Sequence, residues 1–271
     1  MNLTSCLNKS ILAVVIVAVH TGCQKTDTAP SVPRVAAFTI VNVIPNSAPI
    51  IPVFNSGSGI EYFSNALNIW YPGTGSPSFN EYSPPGGSDT LYVVQENGDT
   101  LNLGPKATGL MFDSILTLMS GGIYSLFLTG ADTSSPDYLV TTDSLPYHSP
   151  TDSTVGIRFV NLSTGSQPIS INLEGGAPGS EVGSLPYKGI TGFRNYVSNS
   201  TVTNSTYLFV IRDLATGDSL ISFGLNSRTG LGLLDPNNGN ILTFRNATIA
   251  VYGLENPSSS VPLGIMLIDD Y

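Results

Sequence analysis

The strongest constraint on this chain is an internal repeat with an offset of about 119 positions. The segment FTIVNVIPNSAPIIPVF, Phe38–Phe54, aligns with IRFVNLSTGSQPISINL, Ile157–Leu173. Three further pairs of segments align in the same order: Phe79–Ser83 with Phe193–Val197, Leu91–Leu101 with Leu208–Leu220, and Gly121–Gly130 with Gly239–Gly253. A solenoid repeats every ~20 to 50 residues, whereas copies of ~115 residues have the size of ordinary domains. The sequence therefore predicts two tandem domains of one fold.

The boundary between the two copies falls in PYHSPTDST, Pro146–Thr154. This stretch is rich in Pro and Ser and lacks apolar periodicity, which is typical of a connecting segment. We predict a first domain at 35–148 and a second at 154–271. Each copy is long enough to bury a core of its own.

Within each copy, apolar residues alternate with polar ones at a period of two, which indicates β-strands. Phe38 and Ile40 share one face of their strand, whereas Thr39 lies on the other face, as does Arg158 in the second copy. Many short strands are separated by Gly, Pro and Asn, and no long amphipathic helix is evident. The sequence therefore predicts an all-β fold of two tandem immunoglobulin-like β-sandwiches.

Asparagines predict turns at three places. Asn97-Gly98 lies between two β-rich runs, and both residues accept the positive φ of a tight hairpin turn. Asn42 and Asn161 each end a strand, with Ser, Gly or Pro a few residues later. These two side chains could contact a ligand, but at such positions asparagine more often closes an Asx turn, which is our prediction.

The N-terminus has the pattern of a secretory signal. Lys9 precedes the aliphatic run Ile11–Val19. A transmembrane helix needs ~20 apolar residues, so this run is too short to span a bilayer. We predict that residues 1–22 are a signal peptide that is removed on export.

Gly22-Cys23, directly after this run, resembles the lipobox of bacterial lipoproteins. In that interpretation Cys23 becomes the first residue and carries a diacylglyceryl anchor, and residues 23–34 form a polar tether to an outer membrane. Cys6 lies within the predicted signal, so the mature chain cannot form an internal disulfide. The periplasmic and cell-surface faces both stay open. The alternative is that Cys23 is an ordinary residue and that cleavage releases a soluble protein.

Charge excludes one class of partner. Charged residues make up 11% of the chain and the formal net charge is −9, so non-specific attraction to nucleic acid or anionic lipid is disfavoured. The predicted partners are the membrane, through the lipid anchor, and an unknown glycan or protein ligand.

Residues for catalysis or metal binding are scarce. His148 is the one histidine downstream of residue 22, and we expect it to be solvated between the domains. No Gly-x-Ser-x-Gly elbow occurs, and no His, Cys and acid cluster has the spacing of a metal site. We predict no cofactor and no metal. Asp269 and Asp270 are expected at a solvated strand end. An acid pair for glycoside hydrolysis stays open, because the fold sets its separation.

Aromatic residues between Gly57 and Gly87 are the candidate ligand contacts. Trp70-Tyr71 precedes Pro72-Gly73, a turn that could expose both rings for gripping a sugar or a peptide. The alternative is that Trp70 fills the core. Phe79 and Tyr82, which have equivalents in the second copy, are expected to be structural.

A short motif, Asp followed by Ser or Thr and an apolar residue, resembles the general O-glycosylation sequon of Bacteroidota envelope proteins. The alternative is that these pairs mark turns that enter strands. The candidate acceptors are Thr90, Thr100, Ser114, Ser144 and Ser219.

A family resemblance follows from four segments: VGIRFVNLSTGSQPISINLEG, FRNY, GGIYSLFLTG and DYLVTTDSLP. Together they resemble the domain of unknown function 4397, a family common in Bacteroidota lipoproteins and often present as tandem immunoglobulin-like sandwiches. The resemblance covers most of residues 35–271 and is best in the second half. It implies a fold and a location, and it implies no activity and no site residues.

Two functions are compatible with these features. The first is a non-catalytic, lipid-anchored envelope protein that acts as a binding, adhesion or scaffold module. The alternative is an envelope enzyme, or an enzyme accessory, that acts on glycans with an acidic site between the domains. The missing histidines and motifs favour the first.

Overall fold

Strands alone form the regular structure of the residues that the computed structural model describes, which are 34–54, 68–73, 77–96, 109–198, 206–226, 230–231, 242–255 and 261–270. No helix occurs within these ranges, so the predicted all-β class is confirmed. The predicted lipidation residue Cys23, the candidate acceptor Thr100 and the predicted turn at Asn97-Gly98 lie outside them.

The first copy contributes seven strands in two sheets. One sheet has the order β3-β1-β6-β7 and the other has the order β2-β4-β5. The strand bounds are β1 Ala37–Asn42, β2 Ile50–Phe54, β3 Phe79–Tyr82, β4 Gly87–Gln95, β5 Leu110–Leu118, β6 Ile123–Gly130 and β7 Pro136–Asp143.

The second copy repeats this arrangement with two additional strands. Its sheets have the orders β11-β8-β15-β16 and β10-β9-β12-β13-β14. The strand bounds are β8 Thr154–Asn161, β9 Ile169–Leu173, β10 Val182–Leu185, β11 Arg194–Val197, β12 Thr206–Asp213, β13 Ser219–Asn226, β14 Gly230–Leu231, β15 Asn246–Tyr252 and β16 Gly264–Asp270.

The predicted repeat is therefore present in three dimensions. Each copy begins with a strand that pairs parallel to its penultimate strand, as Phe38 with Tyr124 in the first copy and Ile157 with Ala247 in the second. The same first strand pairs antiparallel with the FxxY segment, through β3 or β11. Among the described strands, β10 and β14 have no counterpart in the first copy.

Each sandwich has its own core between its two sheets. Phe38 and Ile40 face the first core and Ile157 and Phe159 face the second, as the alternation predicts. Phe209 lies at the centre of the second core and contacts Phe159 edge-on, with ring centroids 5.3 Å apart.

A third cluster, the junction core, joins the two four-stranded sheets face to face. It contains Val41, Val43 and Phe127 from the first copy and Val160, Leu162, Ala250 and Ile268 from the second. Strands β1 and β8 are consequently buried on both faces, and residues 34–271 form one compact unit. The domain boundaries at 148 and 154 stay predictions.

Asn42 and Asn161 close equivalent turns, so the predicted Asx turns are confirmed. The Oδ1 of Asn42 accepts a hydrogen bond from the N–H of Ile44 at 3.1 Å, and the Oδ1 of Asn161 accepts one from the N–H of Ser163 at 3.0 Å. Their amide groups donate to the carbonyl oxygens of Ile69 and Leu185. Each buried side chain thus fixes the segment that follows its strand to a second, distant segment.

Candidate functional site

The predicted aromatic pair lies beside the junction between the copies. Trp70 is half-buried, and its backbone N–H donates to the backbone carbonyl of Pro77 at 2.8 Å. Tyr71 is also half-buried and contacts Tyr252 of the second copy edge-on, with ring centroids 5.8 Å apart. Burial, together with the neighbouring Tyr252, raises the pKa of Tyr71 to about 12. Each residue is partly exposed, and a ligand contact stays a prediction.

Arg158 forms the most extensive polar cluster of the described residues, at the same junction. It is 4% exposed. Its Nη1 donates to Asp143 of the first copy at 2.7 Å, and its Nη2 donates to Asp270 of the second copy at 3.5 Å. The Nε donates to Thr248 at 2.6 Å, and the guanidinium lies 4.8 Å from the centre of the Phe193 ring. One buried cation therefore links carboxylates from both copies.

The two carboxylates of this cluster have opposite pKa shifts. Burial raises the pKa of Asp143, but hydrogen bonds from Arg158 and Ser125 outweigh that effect and hold the pKa below its usual value. Burial raises the pKa of Asp270 to about 6, against the opposing effect of Arg158. The expectation that Asp270 lies at a solvated strand end is therefore wrong, because β16 packs this side chain against Arg158 and Thr248. Asp269 is exposed, as expected.

A second polar bridge crosses the junction nearer to solvent. The Nζ of Lys188 donates to Oδ1 of Asp137 at 2.9 Å, and the Tyr187 hydroxyl donates to Oδ2 of the same carboxylate at 3.2 Å. Burial raises the pKa of Asp137, but the hydrogen bond from Lys188 outweighs it and leaves the pKa lowered. Asp137 belongs to the first copy and both of its partners belong to the second.

His148 is buried, with 7% of its surface exposed, so the expectation of a solvated residue is wrong. Its Nδ1 lies 3.0 Å from the Thr154 hydroxyl, and its Nε2 lies 3.0 Å from Oδ1 of Asn246. Gly156 makes room for this contact, because a Cβ there would overlap Asn246. Both ring nitrogens thus contact side chains of neighbouring strands.

The candidate glycosylation sites differ in accessibility. Within the described residues, Thr90 and Ser114 are half-buried strand residues, and Ser144 and Ser219 are exposed. The acid before Ser144 is Asp143, whose carboxylate is bound by Arg158. The acid before Ser219 is Asp218, which is exposed. Ser219 is therefore the candidate whose hydroxyl and preceding acid are both open to an enzyme.

The sequence does not indicate an edge of the first sandwich that no described strand covers. Strands β5 and β7 end their sheets on the same side, and the ring of Phe112 meets that of Tyr138 there at 4.8 Å. Ile115 is 72% exposed and Tyr138 is 48% exposed. The alternation of apolar residues predicts that these are strands, but it does not show which strand ends a sheet.

In the residues that the structure describes, no group of three or more His, Cys, Asp or Glu side chains could hold a metal ion. Over the same ranges there is no helix with the length and hydropathy of a membrane span.

Comparisons with known proteins assign no family. No family model matches the sequence, and no curated protein is significantly similar to it. The resemblance to the domain of unknown function 4397 therefore stays a prediction.

Two solved structures align with most of the chain at low similarity. One is a carbohydrate-binding module of family CBM26 from Eubacterium rectale Amy13K, in complex with maltoheptaose, with a TM-score of 0.25, 7% identity, and coverage of 88% of this chain and 97% of that one. The other is a candidate adhesin from Bacteroides ovatus, with a TM-score of 0.24, 11% identity, and coverage of 88% and 96%. With TM-scores this low, the two likenesses carry no argument about ligand or function.

Proposed function

We propose that this protein is a non-catalytic binding, adhesion or scaffold module of a bacterial cell envelope, anchored by lipid at Cys23. The anchor would tie the chain to an outer membrane, and residues 23–34 would hold the sandwiches away from it. The ligand would be a glycan or a protein, and Trp70 and Tyr71 are the candidate contacts.

The observation that carries this proposal is that the buried polar groups bond to one another within the protein. Arg158 pairs with Asp143 and Asp270, and both nitrogens of His148 contact neighbouring strands. These residues stabilise the contact between strands and between copies. Such pairing supports a rigid display of surface side chains, because each of these groups is buried and bonded to its neighbours within the protein.

The alternative, a glycan-acting enzyme with acids between the domains, has weaker support. Asp143 and Asp270 do lie at the junction, but both are buried and share Arg158. A glycosidase needs two carboxyl groups that reach opposite sides of one scissile bond. A carboxylate bound by a buried guanidinium is poorly placed to reach a sugar.

The anchor and the location are tested together in native-host cells. We expect the chain to incorporate a labelled fatty acid, and we expect Cys23→Ser to abolish the label while Cys6→Ser retains it. Protease treatment of intact cells, with a periplasmic protein as control, then separates the two faces. Loss of the chain would support surface adhesion, whereas protection until the outer membrane is broken would favour a scaffold inside the envelope.

The binding role is tested with a glycan array and a mixture of host surface proteins as probes. We expect at least one ligand class to be retained, and we expect Trp70→Ala to weaken its binding. Phe244→Ala is a matched control, because Phe244 is an exposed aromatic residue of the second copy. Equal binding by all variants would remove Trp70 from the site. Release of sugar from any glycan would contradict the non-catalytic role.

Ser219 is the candidate acceptor that the exposure pattern favours for modification. Mass spectrometry of protein from the native host would show a glycan mass on the peptide that contains Ser219, and Ser219→Ala would remove it. An unmodified peptide would eliminate this site.

A further inference from the structure

Strand β5, Leu110–Leu118, is the longest edge strand of the described residues. It pairs with β4 on one side, and no described strand pairs with it on the other. Natural proteins protect sheet edges with short strands, Pro, Lys or bulges. The edge strands β3, β10 and β11 have four residues each, and β2 contains Pro52. Nine-residue β5 contains neither Pro nor Lys, and its one register shift lies near its beginning, beside Val93/Val94.

The second copy covers the equivalent edge. Its strand β13 occupies the place of β5, and β14 is added to it antiparallel, with Leu225 opposite Leu231 and Asn226 opposite Gly230. The fold therefore accepts one more antiparallel strand at this position. In the described part of the first copy, that position is open.

Apolar side chains surround the open edge. Ile115 on β5 is 72% exposed, and Tyr138 and Val140 on β7 are 48% and 37% exposed. Tyr138 contacts Phe112 of β5, so these side chains belong to one side of the first sandwich. Exposed apolar residues beside an unpaired strand are typical of a surface that another strand covers.

We propose that β5 pairs antiparallel with β5 of a second copy of this chain, about a two-fold axis at Ser114. The strand is self-complementary in this register. Between Phe112 and Leu116, Phe112 lies opposite Leu116 of the partner strand and both belong to the first core, so the core-facing residues of one copy continue those of the other. Side chains alternate regularly over this stretch, so this register keeps its core-facing residues on the core side, and the pairing ends before Met111, where the register with β4 shifts. The result is one six-stranded sheet formed by β2, β4 and β5 of both copies.

The outward face of β5 also fits this register. Asp113, the one ionisable residue of β5, lies opposite Ile115 of the partner strand and not opposite a second carboxylate. Ile115 and its symmetry equivalent become diagonal neighbours, which places them within reach of each other. The net charge of −9 on each chain opposes association, and ~0.15 M salt screens that repulsion beyond ~8 Å.

The test uses the full chain in a non-ionic detergent at that salt concentration, with sedimentation equilibrium to measure the monomer–dimer equilibrium. Ile115→Asp places a second carboxylate opposite Asp113 at two symmetric positions, and we expect dimerisation to weaken roughly tenfold or more. Ile115→Lys places an ammonium group opposite the same Asp113, and we expect the dimer to persist. Ser88→Asp is the control, because it adds an acid to the same face of the sheet on the interior strand β4.

A wild-type dimer that Ile115→Asp breaks, and that Ile115→Lys and Ser88→Asp preserve, is the expected result. Equal weakening by both charges at position 115 would overturn the register, because it would indicate general apolar association. A monomer at every accessible concentration would overturn the proposal and leave β5 open to a strand from another protein. Circular dichroism of each variant confirms that the sheets are intact.

Discussion

Replacing Asp270 with Asn should change how the stability of this protein depends on pH. Asp270 is 5% exposed, and burial raises its pKa from 3.8 to about 6. The carboxyl group therefore binds its proton more tightly in the folded chain than in the unfolded chain. Its contribution to stability is fully present below pH 3.8 and is lost as the pH rises through about 6.

The size of this effect follows from the shift in pKa. One pKa unit corresponds to about 1.4 kcal/mol, so a rise of about two units corresponds to about 3 kcal/mol in the free energy of unfolding. Asn at position 270 keeps the shape and cannot ionise, so this contribution disappears. Compared with Asp270→Asn, the wild type should lose about 3 kcal/mol between about pH 4 and about pH 7. Asp143 titrates below this range, because its pKa is held low.

Urea unfolding at a series of pH values, followed by circular dichroism, measures this difference directly. The comparison at about pH 4 cancels any constant effect of the amide on packing. Asp218→Asn is the control, because Asp218 is an exposed aspartate of the second copy. A wild type and an Asp270→Asn variant with parallel pH profiles would refute the reasoning, since Asp270 would then be hydrated or fully neutralised by Arg158.

Three further predictions concern stability in urea at neutral pH. Arg158→Met should lower the free energy of unfolding by about 3 to 5 kcal/mol, because it leaves two buried carboxylates without their cation. This loss should shrink in acid as the carboxylates protonate, and an equal loss at all pH values would contradict the prediction. Phe127→Ala should cost about 3 to 5 kcal/mol by opening a cavity in the junction core, and a loss near zero would show that the two sheets do not pack there. Asn161→Ala should lower the free energy of unfolding by about 1 to 3 kcal/mol for each buried partner that it leaves unpaired. Asn195→Ala is the control and should change it little, because Asn195 is exposed.

Local patterns in the sequence predict much of the fold. The alternation of Phe38 and Ile40 identifies a strand and its core face, and the repeat predicts that strand's counterpart. Asn42 and Asn161 are predicted to close turns because asparagine at a strand end bonds to the backbone within a few residues. Each of these inferences depends on residues that are close in the chain or that recur in the same order.

The candidate site could be predicted less well, because its contacts join distant residues. The sequence predicts a solvated His148, but this residue is buried and its partner Asn246 is 98 positions away. Arg158 was assigned to the face opposite the core, and that assignment is correct. The sequence does not indicate that this face meets a second sheet instead of water. Asp270 differs from its expectation for the same reason, since its partner Arg158 is 112 positions away.

The sequence by itself determined the all-β class and the twofold repetition, because the period of side chains along a strand fixes which residues share a face. It also determined the turns at Asn42 and Asn161, where asparagine bonds to the nearby backbone. It also shows that histidine and cysteine are scarce, and for this reason we expect a non-catalytic protein without a metal site. Only the tertiary structure decided what each face meets. Three features depend on how whole sheets pack: the burial of the second face of β1 and β8, the pairing of Arg158 with two acids, and the edge of β5 that no described strand covers. No period within one strand encodes that packing.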